Sequence, residues 1–333
     1  MCTAITLQSE QMESFFGRTM DFSYVLEPKL YAVPNNYVWT NVLTKNVFQN
    51  RYRFMGIGQE SAGMLAFFDG VNEHGFAAAV LYFAGYAQYT APADYKTGEP
   101  VSSLDFLHYI LANCASLNEL SQILANVCII GVPDPVTQTI APLHWIATDK
   151  TGESVVIEQT ADGLKVFQNS IGVMANSPDF PWHMTNLRNY MEASPRQKSE
   201  INWGSVRLTP FGQSGGTSML PGGFTSPERF VRAAYLKTHI QTPKNRIVAV
   251  NACFHVLESV SIPKGVVITD RNTCDYTKYT AFINTNTCEY FFRTHDNLQI
   301  RTASLWDHKQ NTTKLMCVGS LMQPVYFEKI QGC

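Results

Sequence analysis

Residues 1–22 read MCTAITLQSEQMESFFGRTMDF. Thr3 to Leu7 (TAITL) and Phe15 to Asp21 (FFGRTMD) are rich in β-branched and apolar residues, and the polar stretch SEQME lies between them. That pattern predicts a β-hairpin at the very start of the chain. The first residues of most domains are poorly ordered. Phe15, Phe16 and Met20 argue instead for a terminus held in a core.

Cys2 stands directly behind Met1. If Met1 is removed, one residue carries both a thiol and a free α-amine. The α-amine titrates near ~7.7–8.0, well below lysine at ~10.4, so a usable fraction is neutral base near pH 7. A thiol at ~8.5 needs only modest help to become thiolate. A nearby guanidinium favours the thiolate and disfavours the ammonium. Arg18 and Asp21 lie on the strand expected to pair with that of Cys2. They would supply a cation for the thiol and a carboxylate to orient the amine, completing a nucleophile, base and orienter set. The competing reading is a chance Met-Cys start on an exposed strand, with Arg18 and Asp21 merely solvated. It requires exposure that the Phe-Phe pair opposes.

Working outward, KLYAV, YRFMGI and MLAFF continue as strands. FDGVNEHGF is expected to reverse the chain, with Asp69-Gly70 and Gly75 as turn residues. Phe76 to Phe83 (FAAAVLYF) is an apolar run suited to a strand buried on both faces. One helix should run from Ser103-Leu104-Asp105-Phe106 to about Cys114, and Ser116 to Glu119 is a capping-box pattern ahead of another. LHWIAT, SVVIEQ and LKVFQN form an antiparallel meander. HMTNLRNYM, SPERFVRAAYL and Val248 to Val260 read as helices, the second with Ser226 as N-cap and Pro227 at the first helical position. GVVIT, YTAFINT, EYFFRT and QIRTASL are late strands. The order strands, helices, strands, helices, strands predicts an α+β fold, with two mainly antiparallel sheets packed face to face and helices outside. No low-complexity linker or internal repeat divides the chain, so one domain over 1–333 is expected.

Composition limits the function. Of 333 residues, 45% are hydrophobic and 16% charged, which supports a sizeable core. The net charge of −2, with no Lys/Arg block, leaves no electrostatic footprint for nucleic acid. Residues 1–22 lack a basic n-region with an apolar core, and no run approaches ~18 apolar residues. A cytoplasmic protein without membrane contact is the expectation. None of the eight cysteines forms a C-x-x-C pair, and Cys114, Cys128 and Cys253, in helical patterns, are expected to be inert. The eight histidines show no H-E-x-x-H, and His144 reads as a core residue, so no metal is expected. Gly212-Gln213-Ser214-Gly215-Gly216 matches G-x-S-x-G, but LTPF and TSMLPGG cannot supply the strand-to-helix context, so a surface loop is expected. There is no P-loop, GIGQES is not a dinucleotide fingerprint, and no cofactor is implied.

MCTAITL followed by FFGRTMDF resembles the choloylglycine hydrolase family, which holds penicillin V acylases and bile salt hydrolases. The resemblance continues through FFDGVNEHG, LYFAGYA, APLHW, GVMANSPDFPWHMTNLRNY, LTPFGQ, LPGGFTSPERFVRAAYLK and SIPKGVVIT, over roughly residues 2–305. It implies an N-terminal-nucleophile amide hydrolase with a four-layer αββα sandwich. Cys2 matches the nucleophile, with its α-amine as base. Arg18 matches the arginine beside the thiol, Asp21 the carboxylate that positions the amine, and Arg229 (in SPERF) a second active-site arginine. Asn176 (in ANSP) matches the side-chain donor of an oxyanion hole, which needs donors aimed at the developing charge.

Tyr82 (in LYFAGYA) falls where bile salt hydrolases usually carry Asn, which looks like the penicillin V acylase branch. Its backbone N–H matches the second oxyanion donor. Tyr82, with Phe83, Tyr86 and Tyr89, would make a flat aromatic acyl pocket, unless these rings belong to the core; Met20 and Tyr82 are the expected substrate contacts. The resemblance implies a small-molecule amide substrate, no cofactor and a homo-oligomer, by family likeness a tetramer. Penicillin V leads, with bile salts and N-acyl homoserine lactones as alternatives. A non-catalytic binding protein of the same fold is the reading from another class, favoured if Met1 is retained. The stretch from about Trp306 to Cys333 has no counterpart, and the loops Gln59–Met64 and Pro133–Thr139 carry no readable substrate signal.

Overall fold

The computed structural model describes residues 1–333 apart from 42, 44, 309–312, 328 and 330–333; Cys333 therefore lies outside the described residues. The opening hairpin forms as β1 (Cys2–Gln8) and β2 (Ser14–Phe22). Cys2 stands opposite Met20, Thr3 opposite Thr19 and Ala4 opposite Arg18. Side chains alternate along a strand, so Cys2, Ala4, Arg18 and Met20 share one face, and Thr3, Thr19 and Asp21 share the other.

The chain continues through β3 (Lys29–Val33), β4 (Phe54–Ser61), β5 (Met64–Asn72) and β6 (Ala77–Tyr82), then α1 (Phe106–Asn113) and α2 (Leu117–Leu124). The meander is β7 (Leu143–Thr148), β8 (Ser154–Thr160) and β9 (Gly163–Gln168), and β10 (Val173–Met174) follows. After α3 (Phe180–Asn186), α4 (Ser226–His239) and α5 (Arg246–Glu258) come β11 (Tyr276–Asn284), β12 (Glu289–Thr294), β13 (Arg301–Ser304) and β14 (Met316–Ser320). The strand order is β10-β1-β2-β11-β12-β13 in a six-stranded sheet and β9-β8-β7-β6-β5-β4-β3-β14 in an eight-stranded one. Both are antiparallel throughout.

Alternation divides the core into layers. Met55, Ile57, Val71, Ala77, Ala79, Leu81, Ile146 and Val156 bury against the six-stranded sheet. Their neighbours Phe54, Ala78, Trp145, Ala147 and Ile157 pack with Phe106, Leu107, Ile110 and Leu111 of α1. Helices α4 and α5 cover the opposite face of the six-stranded sheet, against β1. The result is the expected four-layer αββα sandwich. Two glycines permit it. A Cβ at Gly17 would collide with the Phe282 ring, and one at Gly70 with Leu111 of α1. Among the described residues no helix is long and apolar enough to cross a membrane.

Several local expectations change. Asp69 and Gly70 lie inside β5, and the reversal is made by Asn72 to Gly75, where Gly75 has φ +82°. Gly70 is required by the close approach of α1, not by a turn. The N-cap of α4 is Thr225, because Glu228 exchanges a capping box with it; Ser226 and Pro227 are the first two helical residues. Cys128 sits in the strand Val127–Ile130, paired in parallel with Glu99–Ser102. GVVIT is a loop with one bridge, Ile268 to Cys274, and Gly265 at φ +100° interrupts it. β14, from the unassigned C-terminal stretch, pairs with β3. Ser214 is exposed in a short turn, with no strand-to-helix elbow.

Candidate active site

Cys2 begins β1 at the open end of the hairpin, opposite Met20, and its thiol and its backbone meet different parts of the molecule. The thiol points between the sheets. Arg18 Nη2 donates to Cys2 Sγ at 2.6 Å and lies 3.3 Å from Met20 Sδ. Arg18 is 1% exposed, and its remaining donors are held: Nε by Thr19 O (3.2 Å), and Nη1 by Phe68 O and Val80 O (both 2.9 Å). Those two carbonyls are available because β5 and β6 part there. Their pairing ends at Asp69–Ala79, and Phe68 is the extra residue of a bulge against β4. Burial opposes the Arg18 charge, but Cys2, Tyr279, Asp69 and Asp21 together push its pKa up.

The backbone of Cys2 faces the helical layer. Cys2 N donates to Asn176 Oδ1 at 2.6 Å. Arg229, from the first turn of α4 and wholly buried, donates to Cys2 O (2.6 Å), Thr3 Oγ1 (2.5 Å) and Asn176 Oδ1 (2.7 Å). Asp21 lies 3.8 Å from Arg229 Nη1 and accepts from Thr19 Oγ1 (3.1 Å) and Thr277 Oγ1 (2.6 Å). Burial raises the Asp21 carboxyl, against Arg229 above all. The Met1 amine donates to Asp21 O (2.5 Å) and lies 3.6 Å from Asp275 Oδ2. Thus Asn176, rather than the Asp21 carboxylate, holds the Cys2 nitrogen while Met1 is in place.

Asn176 also reaches the other sheet, where its Nδ2 donates to Tyr82 O at 2.7 Å. Tyr82 stands opposite Leu143, and Phe83 N donates to Pro142 O. In an antiparallel ladder that register turns the Tyr82 N–H and C=O away from β7, into the gap that Arg18 bridges. Sequence reasoning named Cys2, Arg18, Asp21, Tyr82, Asn176 and Arg229, and the fold brings all six together.

A cleft of about 930 Å³, counted to its open mouth, abuts Cys2. Met20 and Tyr82 line it, with Leu26, Met64, Phe68 and Val136. The loops that sequence left unread supply Gln59, Ser61, Met64, Asp134, Pro135 and Val136. The aromatic wall is smaller than expected. Phe83 is fully buried and stacks on His144 at 4.2 Å, and the Tyr89 hydroxyl is consumed by Leu143 N and Ala141 O.

Behind Asn176, His183 Nε2 lies 2.8 Å from Asn176 O, and Glu158 accepts from Phe180 N at the start of α3. Burial pushes Glu158 up to about 8 and His144 down to about 3, so this pair, 3.4 Å apart, is uncharged at neutral pH. The other site residue that sequence reasoning missed is Asp69. Its Asp-Gly context reads as a turn, and only the partners across the sandwich identify it.

A family model for linear amide C–N hydrolases, choloylglycine hydrolase family, matches residues 2–318. The chain belongs to the choloylglycine hydrolase family. It is a hydrolase of linear amide bonds. It is 34% identical over 313 residues to a bile salt hydrolase/transferase of Clostridium perfringens, covering 93% of this chain and 94% of that one. A crystal structure of a conjugated bile acid hydrolase from the same organism superposes with a TM-score of 0.91 at 30% identity, over 99% of this chain and 100% of the other. A penicillin V acylase of Pectobacterium atrosepticum is 29% identical over 69% of this chain and 59% of its own length. The family match runs past residue 305 and takes in much of β14.

Proposed function

We propose that this enzyme hydrolyses conjugated bile acids, with Cys2 as nucleophile. The observation that carries the substrate assignment is the end-to-end similarity to bile salt hydrolases, against partial similarity to a penicillin V acylase. The cleft agrees with it. Aliphatic residues outnumber flat rings along its walls, and two of the four aromatics expected there are committed to packing. A broad, rigid apolar acyl group suits such a chamber.

Removal of Met1 frees the Cys2 amine. This amine takes the thiol proton, and the thiolate attacks the substrate carbonyl. Asn176 Nδ2 and the Tyr82 N–H are the donors for the oxyanion. The ammonium returns its proton to the leaving nitrogen, the C–N bond breaks, and a thioester remains. Water, deprotonated by the amine, then releases the carboxylate and the thiol. Arg18 holds the sulfur, and Arg229 fixes the Cys2 carbonyl and the Asn176 side chain. Asp21 balances the Arg229 charge and, once Met1 is gone, orients the amine.

Tyr82 favours a second reading, penicillin V hydrolysis, because this aromatic residue lines the cleft. Side-by-side kcat/KM on glycine- and taurine-conjugated bile acids and on penicillin V tests the choice. A clear preference for the conjugates is expected, and a preference for penicillin V would overturn it. Full activity in protein shown by mass to retain Met1 would overturn the Cys2 mechanism.

A further inference from the structure

Asp69 is buried to 1% exposure and has no part in the chemistry above. It lies on the inner face of β5, beside the bulge at Phe68 whose carbonyl receives Arg18 Nη1. Each of its oxygens has a donor from the opposite sheet: Tyr279 of β11 at 2.6 Å and Tyr290 of β12 at 2.9 Å. Tyr279 stands opposite Met20, and its neighbour on the same face, Ala281, stands opposite Arg18. The carboxyl, the two phenols and the guanidinium therefore occupy one buried layer between the sheets, and the guanidinium ends on Cys2 Sγ. An arginine charge so enclosed needs compensation. Burial raises the Asp69 carboxyl above the usual carboxylate range, opposed by Arg18 first and then by both hydroxyls.

We propose that Asp69 is a positioning residue: clamped by Tyr279 and Tyr290, it is the buried counter-charge that fixes Arg18 against Cys2 Sγ and moderates the field the guanidinium exerts on the thiol. The proposal rests on the reading of Cys2 as nucleophile. It differs from a purely structural role, in which Asp69 only ties the sheets together through two hydrogen bonds. Asp69→Asn separates the two, because it keeps the shape and can still bond both phenols but removes the charge.

The test uses the full chain and two readouts. Alkylation of Cys2 by iodoacetamide, followed by peptide mass spectrometry from pH 5 to 9, needs no amide substrate. Losing a neighbouring negative charge favours the thiolate, so Asp69→Asn should move the alkylation midpoint about one pH unit toward acid. Its kcat should fall at least about tenfold with KM within about twofold, the mark of a misplaced group rather than lost binding. Tyr279→Phe removes one donor that sustains the carboxylate, and should shift the midpoint the same way by less; it also decides the matter if Asp69→Asn does not fold. A reactive Cys2 whose profile is unmoved in the folded variant would overturn the proposal alone. A Cys2 unreactive in the wild-type protein would overturn the nucleophile reading and this proposal with it.

Discussion

The hairpin that carries Cys2 and the rim of the cleft are built on different principles. In the hairpin, strand register places every group. Cys2, Arg18 and Met20 face the inter-sheet layer, Thr3, Thr19 and Asp21 face α4, and all six are buried. At the rim, Ser61 to Met64 and Asp134 to Val136 are loop or strand-end residues, half-buried or exposed, with few bonds beyond their own segment. Asp134, for example, accepts from Val136 N two residues on. On the proposed mechanism, the chemistry sits on the part held by strand register and the choice of acyl group on the loops. Changes in the hairpin region should strike kcat with any substrate, and changes at the rim should alter the ratio between substrates.

The strongest break of that contrast is Cys2→Ser. The hydroxyl is a far weaker nucleophile at neutral pH, so kcat/KM should fall at least about a thousandfold on bile acid conjugates and penicillin V alike. Steady-state kinetics with N-terminal mass confirmation checks it, and loss on one substrate only would refute the division. Asn176→Ala comes next, at about 10²–10³-fold in kcat, the usual scale for one oxyanion donor. The same kinetics on both substrates should show equal losses. Tyr82→Ala should cost penicillin V no more than about tenfold, from offset stacking worth ~0.5–1.5 kcal/mol, while leaving the backbone donor in place. Conjugated bile acids should be affected less. An equal loss on both would give the Tyr82 ring, and not only its backbone, a part in the machinery.

The smallest effect concerns Glu158, which anchors α3 behind Asn176. Burial raises its carboxyl from 4.5 to about 8 in the folded protein. The folded state therefore holds a proton that the unfolded chain releases between those values. This stability is full below about pH 4.5 and is lost as pH rises toward 8. Glu158→Gln stays neutral and should flatten that slope. Melting temperatures of the two proteins should agree near pH 5 and separate near pH 8, with the variant higher. Parallel curves would place the charged form of Glu158 in the folded state.

The hairpin was legible because its information is local. Alternation around FFGRTMD sets the faces, and Phe15 and Phe16 require burial. Asn176 and Arg229 were legible only through the likeness of ANSP and SPERF to a family, since their partners lie far off in sequence. Asp69 was hidden because Asp-Gly has a strong local meaning, and α1 packing on Gly70 overrides it. The pocket aromatics were misassigned for a related reason. LYFAGYA holds three rings, Tyr82, Phe83 and Tyr86, with Tyr89 just beyond, but successive side chains at a strand end point to opposite faces, and Phe83 goes to the core. The helix cap moved by one residue because Thr225 and Glu228 satisfy each other, which leaves Ser226 inside the first turn.

Asn176 also acts as a measuring device. One amide, three atoms across, accepts from Cys2 N in one sheet and donates to Tyr82 O in the other. The separation of the two sheets at this edge is thereby set to the length of a single side chain. Any widening of the two sheets at this edge must release either the Cys2 nitrogen or the strand end that carries Tyr82.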